Sequence, residues 1–123
     1  MLILPIKKKW FDMILSGEKK EEYREITGYW TSRISNWCQD LCGDYRVTDK
    51  YFLSQLRSGS HEYCTAIFRN GYGKNAPSFK CDVKVCIGTG RQEWGAEPGK
   101  EYFVLQISDI KKLCKETDHE KKS

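Results

Sequence analysis

A glycine turn that leads into a row of alternating charges constrains this chain most. The stretch Ser16-Gly17-Glu18-Lys19-Lys20-Glu21-Glu22-Tyr23-Arg24 lies between an amphipathic segment and an aromatic-rich one, where an ordinary buried strand carries apolar residues on at least one face. In an extended strand over residues 19 to 26, successive side chains point to opposite faces. Glu22 and Arg24 then project together with Lys20, while Lys19, Glu21 and Tyr23 project to the other side. Such a row either faces water, where charge protects a sheet edge from pairing, or faces inward and lines a groove with chemical purpose.

With 123 residues the chain suits one domain built on one core. Its apolar start, Met1-Leu2-Ile3-Leu4-Pro5-Ile6, stops at Lys7-Lys8-Lys9, too short for a signal-peptide core or a membrane span. The expectation is a first strand in a soluble, cytoplasmic protein with no membrane partner. Residues 8 to 15 place Trp10, Phe11, Ile14 and Leu15 at helical spacing, and Gly17 follows where a helix stops. From Gly28 to Cys42 the residues Trp30, Ile34, Trp37, Cys38 and Leu41 repeat with helical period, which predicts a helix with both tryptophans on its buried face, a base-stacking platform being the less favoured alternative for residues at core spacing. Residues 49 to 56 suit another short helix.

The second half reads as strands. Residues 63 to 69 are rich in strand formers, Asn70-Gly71 marks a turn, and residues 78 to 86 alternate Phe79, Cys81, Val83 and Val85 with Lys80, Asp82 and Lys84. Gly88-Thr89-Gly90 breaks that strand. The segment from Gln92 to Gly99 has the composition of an ordered turn, residues 102 to 107 make a last strand, and the tail from about residue 115 is expected to fray. Early helices and later strands without strict βαβ alternation argue an α+β fold, or a small barrel with attached helices.

The net charge of +4 arises from basic residues interspersed with nearly as many acidic ones, so the chain lacks the block of basic charge of a strong duplex binder. Its six cysteines, at positions 38, 42, 64, 81, 86 and 114, form no C-x-x-C pair, and His61 and His119 stand far from ligand spacing. Cys38 and Cys42, one helical turn apart, are too few to hold a structural metal. The cysteines are expected to be reduced, structural thiols, and neither a metal nor a cofactor is implied.

Gly17-Glu18-Lys19-Lys20-Glu21-Glu22-Tyr23-Arg24 resembles the G-x-K-x-x-E-x-R signature of the ASCH domain, a branch of the PUA-like β-barrel superfamily, and follows a strand and a helix as it does there. The stretches from Phe68 to Gly73 and from Glu93 to Leu105 resemble small bacterial and phage proteins of the same group, so the likeness spans nearly the whole chain. The resemblance implies a single ASCH domain over residues 1–123, folded as a PUA-like small β-barrel with flanking helices around a cleft lined by the motif. It also implies RNA, a nucleotide or a modified nucleoside as the partner. Some members hydrolyse acetylated cytidine and some are similar to ribonucleases, so a binding module and a hydrolase both follow, with an accessory protein-interaction module as a third possibility.

The acetylcytidine amidohydrolases carry a threonine nucleophile where this chain has Glu22. A carboxylate can serve as general base but does not replace a hydroxyl in forming an acyl intermediate. Candidate catalytic residues are Lys19, Glu22 and Arg24. Strand parity separates Lys19 from Glu22 unless a turn re-aims it, and Arg24 either fixes the carboxylate or contacts a ligand. Candidate ligand-binding residues are Arg33, Arg69, Asn70, Tyr72 and Trp94. Trp94 offers a base-stacking face or plugs the end of the barrel, and Asn70 contacts a ligand or serves only the turn.

Overall fold

A computed structural model describes residues 2–39 and 46–113. Leu2, Leu4 and Ile6 alternate with more exposed neighbours, which makes the first strand, β1 (Leu2–Ile6), apolar on one face only. Helix α1 (Lys8–Leu15) buries Phe11 and Ile14 and ends at Gly17, which adopts a φ of +84° that suits a residue without Cβ. Strand β2 (Glu21–Glu25) follows the turn. Thr27 then caps α2 (Gly28–Cys38) by accepting from the Trp30 amide, and Thr48 caps α3 (Asp49–Arg57) by accepting from the Tyr51 amide. After α3 come β3 (Glu62–Asn70), β4 (Ser78–Thr89), a short 3-10 turn (Gln92–Trp94) and β5 (Glu101–Lys112).

Among the described residues, five strands form one curled mixed sheet in the order β1-β3-β4-β5-β2, a half-barrel with three helices, so the α+β class holds. β1 runs parallel to β3 and every other pair is antiparallel. Where β4 meets β5 the register slips between Lys80 and Asp82, and Asp109 takes up the extra residue with a φ of +51°. β1 and β2 stand at the two ends of the strand order, which leaves a seam where a closed barrel would pair them.

Several boundaries differ from those the sequence suggests. β2 starts at Glu21 and not at Lys19, so Lys19 and Lys20 belong to the turn, and the expected alignment of Lys20 with Glu22 and Arg24 gives way to an exposed lysine outside the strand. β4 continues through Gly88 to Thr89 because it stays paired with β5 as far as Glu101. Helix α2 ends at Cys38; the expected continuation to Cys42 and the tail from about residue 115 lie outside the described residues.

The main core lies between one face of the sheet and the helices, where Leu4, Ile14, Ile34, Phe68, Phe79 and Phe103 are fully buried. A second cluster occupies the other face: Tyr23, Tyr102 and Val104 pack with Ala96 from the segment before β5. β5 is therefore covered on both sides, Phe103 and Leu105 serving one cluster and Tyr102 and Val104 the other. Phe79 links the main core, with ring centroids 5.2 Å from Phe11 and 5.3 Å from Phe68. Phe79→Ala is expected to lower the unfolding free energy by about 3–5 kcal/mol, read from urea denaturation. A loss below about 1 kcal/mol would mean that this ring does not join helix to sheet.

Candidate functional site

A cavity of about 710 Å³ opens in the seam between the two edge strands. β1 contributes Pro5 and Ile6, followed by Lys7, and β2 contributes Glu22 to Glu25. Aromatic walls come from separate elements: Trp10 from α1, Tyr29 and Trp30 from the first turn of α2, Trp94 from the 3-10 turn and Tyr102 from β5. Tyr72, in the connection from β3 to β4, stands at the mouth with most of its surface in solvent.

Behind those walls lies a buried ionic group. The Lys19 ammonium is 3.1 Å from Glu22 Oε1, donates to the Trp94 carbonyl, and sits 4.6 Å from the Trp10 ring and 5.1 Å from the Tyr23 ring. Only 1 % of Lys19 is exposed, and it does not line the cavity, whereas Trp10, Glu22, Tyr23 and Trp94 all do. Arg24 completes the group: its Nη1 donates to Glu22 Oε2 at 3.0 Å and to the Tyr23 carbonyl at 2.7 Å, and its guanidinium lies 5.2 Å from the Trp30 ring. Both oxygens of Glu22 therefore face cations. A cation over an aromatic face is attracted by the ring quadrupole, so the two charges also hold Trp10 and Trp30 in place.

The segment carrying Trp94 is pinned by two tyrosine hydroxyls. Tyr23 accepts from the Arg91 amide at 3.0 Å and donates to Glu21 Oε1 at 2.8 Å, while Tyr102 accepts from the Glu97 amide at 3.0 Å. Burial, supported by the bond to Glu21, pushes the Tyr23 phenol above its ordinary pKa. Two glycines permit the close approach. A Cβ at Gly90 would come within 2.5 Å of the Tyr23 ring, and one at Gly95, where φ is +102°, within 3.1 Å of Trp10.

Of the residues the sequence singled out, Lys19, Glu22 and Arg24 are brought together. Lys19 reaches Glu22 from the turn, so strand parity never separates them. Tyr72 and Trp94 line the cavity, and Trp94 also supplies the carbonyl that receives Lys19. Arg33, Arg69 and Asn70 do not line it. Arg33 stacks 5.5 Å from both Tyr29 and Trp30, Arg69 lies in β3 between Pro5 and Ser78, and Asn70 ends β3 with its amide donating to Pro77.

Sequence reasoning missed Trp10, Tyr29, Trp30 and Tyr102 as wall residues. Both tryptophans of α2 pack against the main core as their spacing predicts, Trp37 buried and Trp30 half-buried, and Trp30 lines the cavity as well. Its place in the first helical turn, beside the exposed Tyr29, is the signal that separates it from Trp37.

Among the described residues, no cluster of three or more His, Cys, Asp or Glu side chains is arranged to hold a metal, and no helix is long and apolar enough to cross a membrane. Comparison with protein-family models, curated proteins and solved structures finds no match.

Burial lowers the Lys19 pKa, against the opposing pull of Glu22. The unfolded chain, whose lysine titrates near 10.5, therefore binds more protons than the folded one between the lowered value and 10.5, and in that window Lys19 makes stability rise with pH. Tyr23 and Cys81, whose pKa values are raised by burial, act in the opposite sense at alkaline pH. Lys19→Met leaves the Trp94 carbonyl without its donor and Glu22 with one cation, and is expected to cost about 3 kcal/mol near neutral pH. The stability difference between wild type and this variant should widen as the solution is made alkaline towards pH 10, measured by chemical denaturation. A flat difference would mean that the ammonium is not desolvated.

Proposed function

We propose that this chain is an ASCH-type, PUA-like domain that binds RNA, a nucleotide or a modified nucleoside in the aromatic cavity of the barrel seam. The observation that carries this reading is the composition of the cavity wall. Aromatic rings from five separate elements surround a space of about 710 Å³, of a size that encloses a drug-sized molecule. Every base offers a π-face to such rings, so stacking supplies affinity without demanding a particular sequence.

The Glu22–Arg24 pair at the cavity wall adds polar selectivity. Arg24 uses Nη1 for Glu22 and Tyr23, and a guanidinium carries further N–H donors that suit a ligand oxygen. The PUA-like assignment draws on the motif from Gly17 to Arg24, its position after β1 and α1, and the curled sheet.

A hydrolase reading rests on Lys19 and Glu22, which are 3.1 Å apart. The binding module is favoured because Lys19 is sealed from the cavity and both Glu22 oxygens are held in ion pairs with Lys19 and Arg24, which gives the carboxylate a structural role at the wall.

Tryptophan fluorescence titration with cytidine, N4-acetylcytidine, mononucleotides and short single-stranded RNAs tests the proposal. Binding should weaken as salt rises for the charged ligands, and Trp30→Ala or Trp94→Ala should each weaken it by about 10- to 100-fold. Absence of binding by every ligand across pH and salt would discard the reading. Mass-spectrometric detection of product, lost in Glu22→Gln with affinity retained, would move the assignment to the hydrolase.

A further inference from the structure

One end of the sheet carries charge of a single sign. β1 and β3 finish there, β4 begins and β5 finishes, as the pairs Ile6 with Asn70, Arg69 with Ser78 and Phe79 with Lys112 show. The segments that meet at this end, residues 2–11, 63–81 and 110–113, contain no Asp or Glu. They bring together Lys7, Arg69, Lys74, Lys80, Lys111 and Lys112, all exposed except the half-buried Arg69. Among the described residues none of the six takes part in an ion pair. The acids that flank these segments are Glu62, Asp82, Asp109 and Asp12, and Asp12 pairs with Lys8. Lys80 and Lys111 stand directly opposite each other across β4 and β5, an arrangement of like charges that is unfavourable without a counter-charge. Arg69 Nε is buried and has no hydrogen-bond partner. Lysines scattered along the sequence therefore become one basic surface through strand pairing.

This surface borders the cavity. Lys7 lines the cavity itself, Pro5 of its wall is paired with Arg69, and Gly71 and Tyr72 belong to the connection that also carries Lys74. Elsewhere the cavity is bordered by Glu25 and Glu97, with Lys100 within 3.5 Å of the first and 3.7 Å of the second. A polyanion is drawn to the basic side and gains nothing on the acidic one. We propose that the basic end of the sheet is a second contact surface, which binds the sugar–phosphate backbone of a single-stranded nucleic acid beside the cavity that takes one of its bases. The inference rests on the cavity reading above and narrows it: the ligand is a strand and not a free nucleoside. Three strand spacings separate β1 from β5, about 14 Å, which gives a short run of phosphates room to lie across the lysines. Each phosphate so neutralised releases counterions, which supplies affinity without reading sequence. Tyr72, 89 % exposed, offers a further ring for stacking where the strand passes from the surface to the cavity.

Fluorescence anisotropy with labelled single-stranded RNAs of about ten nucleotides, a length within the usual site size of such surfaces, tests this beside tryptophan fluorescence titration with mononucleotides. At low salt the RNAs should bind at least about 10-fold more tightly than the mononucleotides, with an affinity that falls steeply as salt rises. Lys80→Gln combined with Lys111→Gln should weaken RNA binding by about 10-fold and make the slope of log affinity against log salt shallower by about 1.4, roughly 0.7 for each lost phosphate contact. Trp94→Ala should weaken mononucleotides and RNA alike, whereas the double lysine variant should weaken only the RNA. Lys50→Gln, at an exposed position of α3, serves as the control for loss of charge elsewhere. The same sequence as DNA identifies the sugar, and binding of either strand supports the surface. RNA that binds no more tightly than mononucleotides, or that binds the double variant like wild type, would overturn the surface and leave the cavity reading standing. RNA binding that Trp94→Ala leaves untouched but the double variant loses would support the surface and discard the cavity reading. Equal affinity for a duplex of the same sequence, for polyglutamate or for phosphatidylserine vesicles would overturn the assignment to a single strand.

Discussion

A lysine held out of water between a carboxylate and two aromatic rings is the constraint on which this molecule turns. Moving an ammonium from water into a protein interior costs several kcal/mol after relaxation, and the cost is met only where geometry and hydrogen bonding are good. Lys19 has both: Glu22 on one side, the Trp94 carbonyl on another, and the faces of Trp10 and Tyr23 around it. Those four partners belong to α1, β2 and the 3-10 turn before β5. One buried charge thus ties three distant segments together, and any rearrangement of the cavity wall must first strand it.

The second determinant is topological. In the order β1-β3-β4-β5-β2 the first two strands of the chain end up as opposite edges of the sheet. An unpaired edge exposes backbone donors and acceptors and invites unwanted pairing. Here the cavity and its aromatic walls fill the interval, and the Arg24 guanidinium takes up the Tyr23 carbonyl of β2. The same seam that leaves the half-barrel open is what makes room for the cavity. Cavity and incomplete closure are two descriptions of one geometric fact.

Thiols and tyrosines lock this arrangement at separate places. The hydroxyls of Tyr23 and Tyr102 hold the loop over the second apolar cluster through backbone amides. On the opposite face, the Trp37 indole and the Cys38–Cys64 contact hold α2 to β3. Both are polar contacts placed next to apolar clusters, where low local polarity strengthens them and an unmade bond is costly. The helix supplying Tyr29 and Trp30 is therefore anchored at its far end, away from the cavity it borders.

Local patterns in the chain were enough to reveal all five strands, the helices, the glycine turn and the joint projection of Glu22 and Arg24, because alternation and helical period depend only on near neighbours. Lys19 and Tyr72 were marked through the stretches that resemble the family, and Trp94 as a bulky aromatic in a glycine-rich turn. Strand ends were less legible: β4 runs through Gly88 because β5 pairs with it, and the turn sets Lys19 beside Glu22 where parity alone would part them. Periodicity could not tell Trp30 from Trp37, since both satisfy helical spacing and both pack against the core, and only the placement of α2 beside the seam makes Trp30 a cavity residue as well. Sequence by itself determined which residues could meet along one element. The tertiary structure alone decided which meet across elements, because the seam, the burial of Lys19 and the aromatic enclosure arise from strand order, a property of long-range contacts that no local window contains.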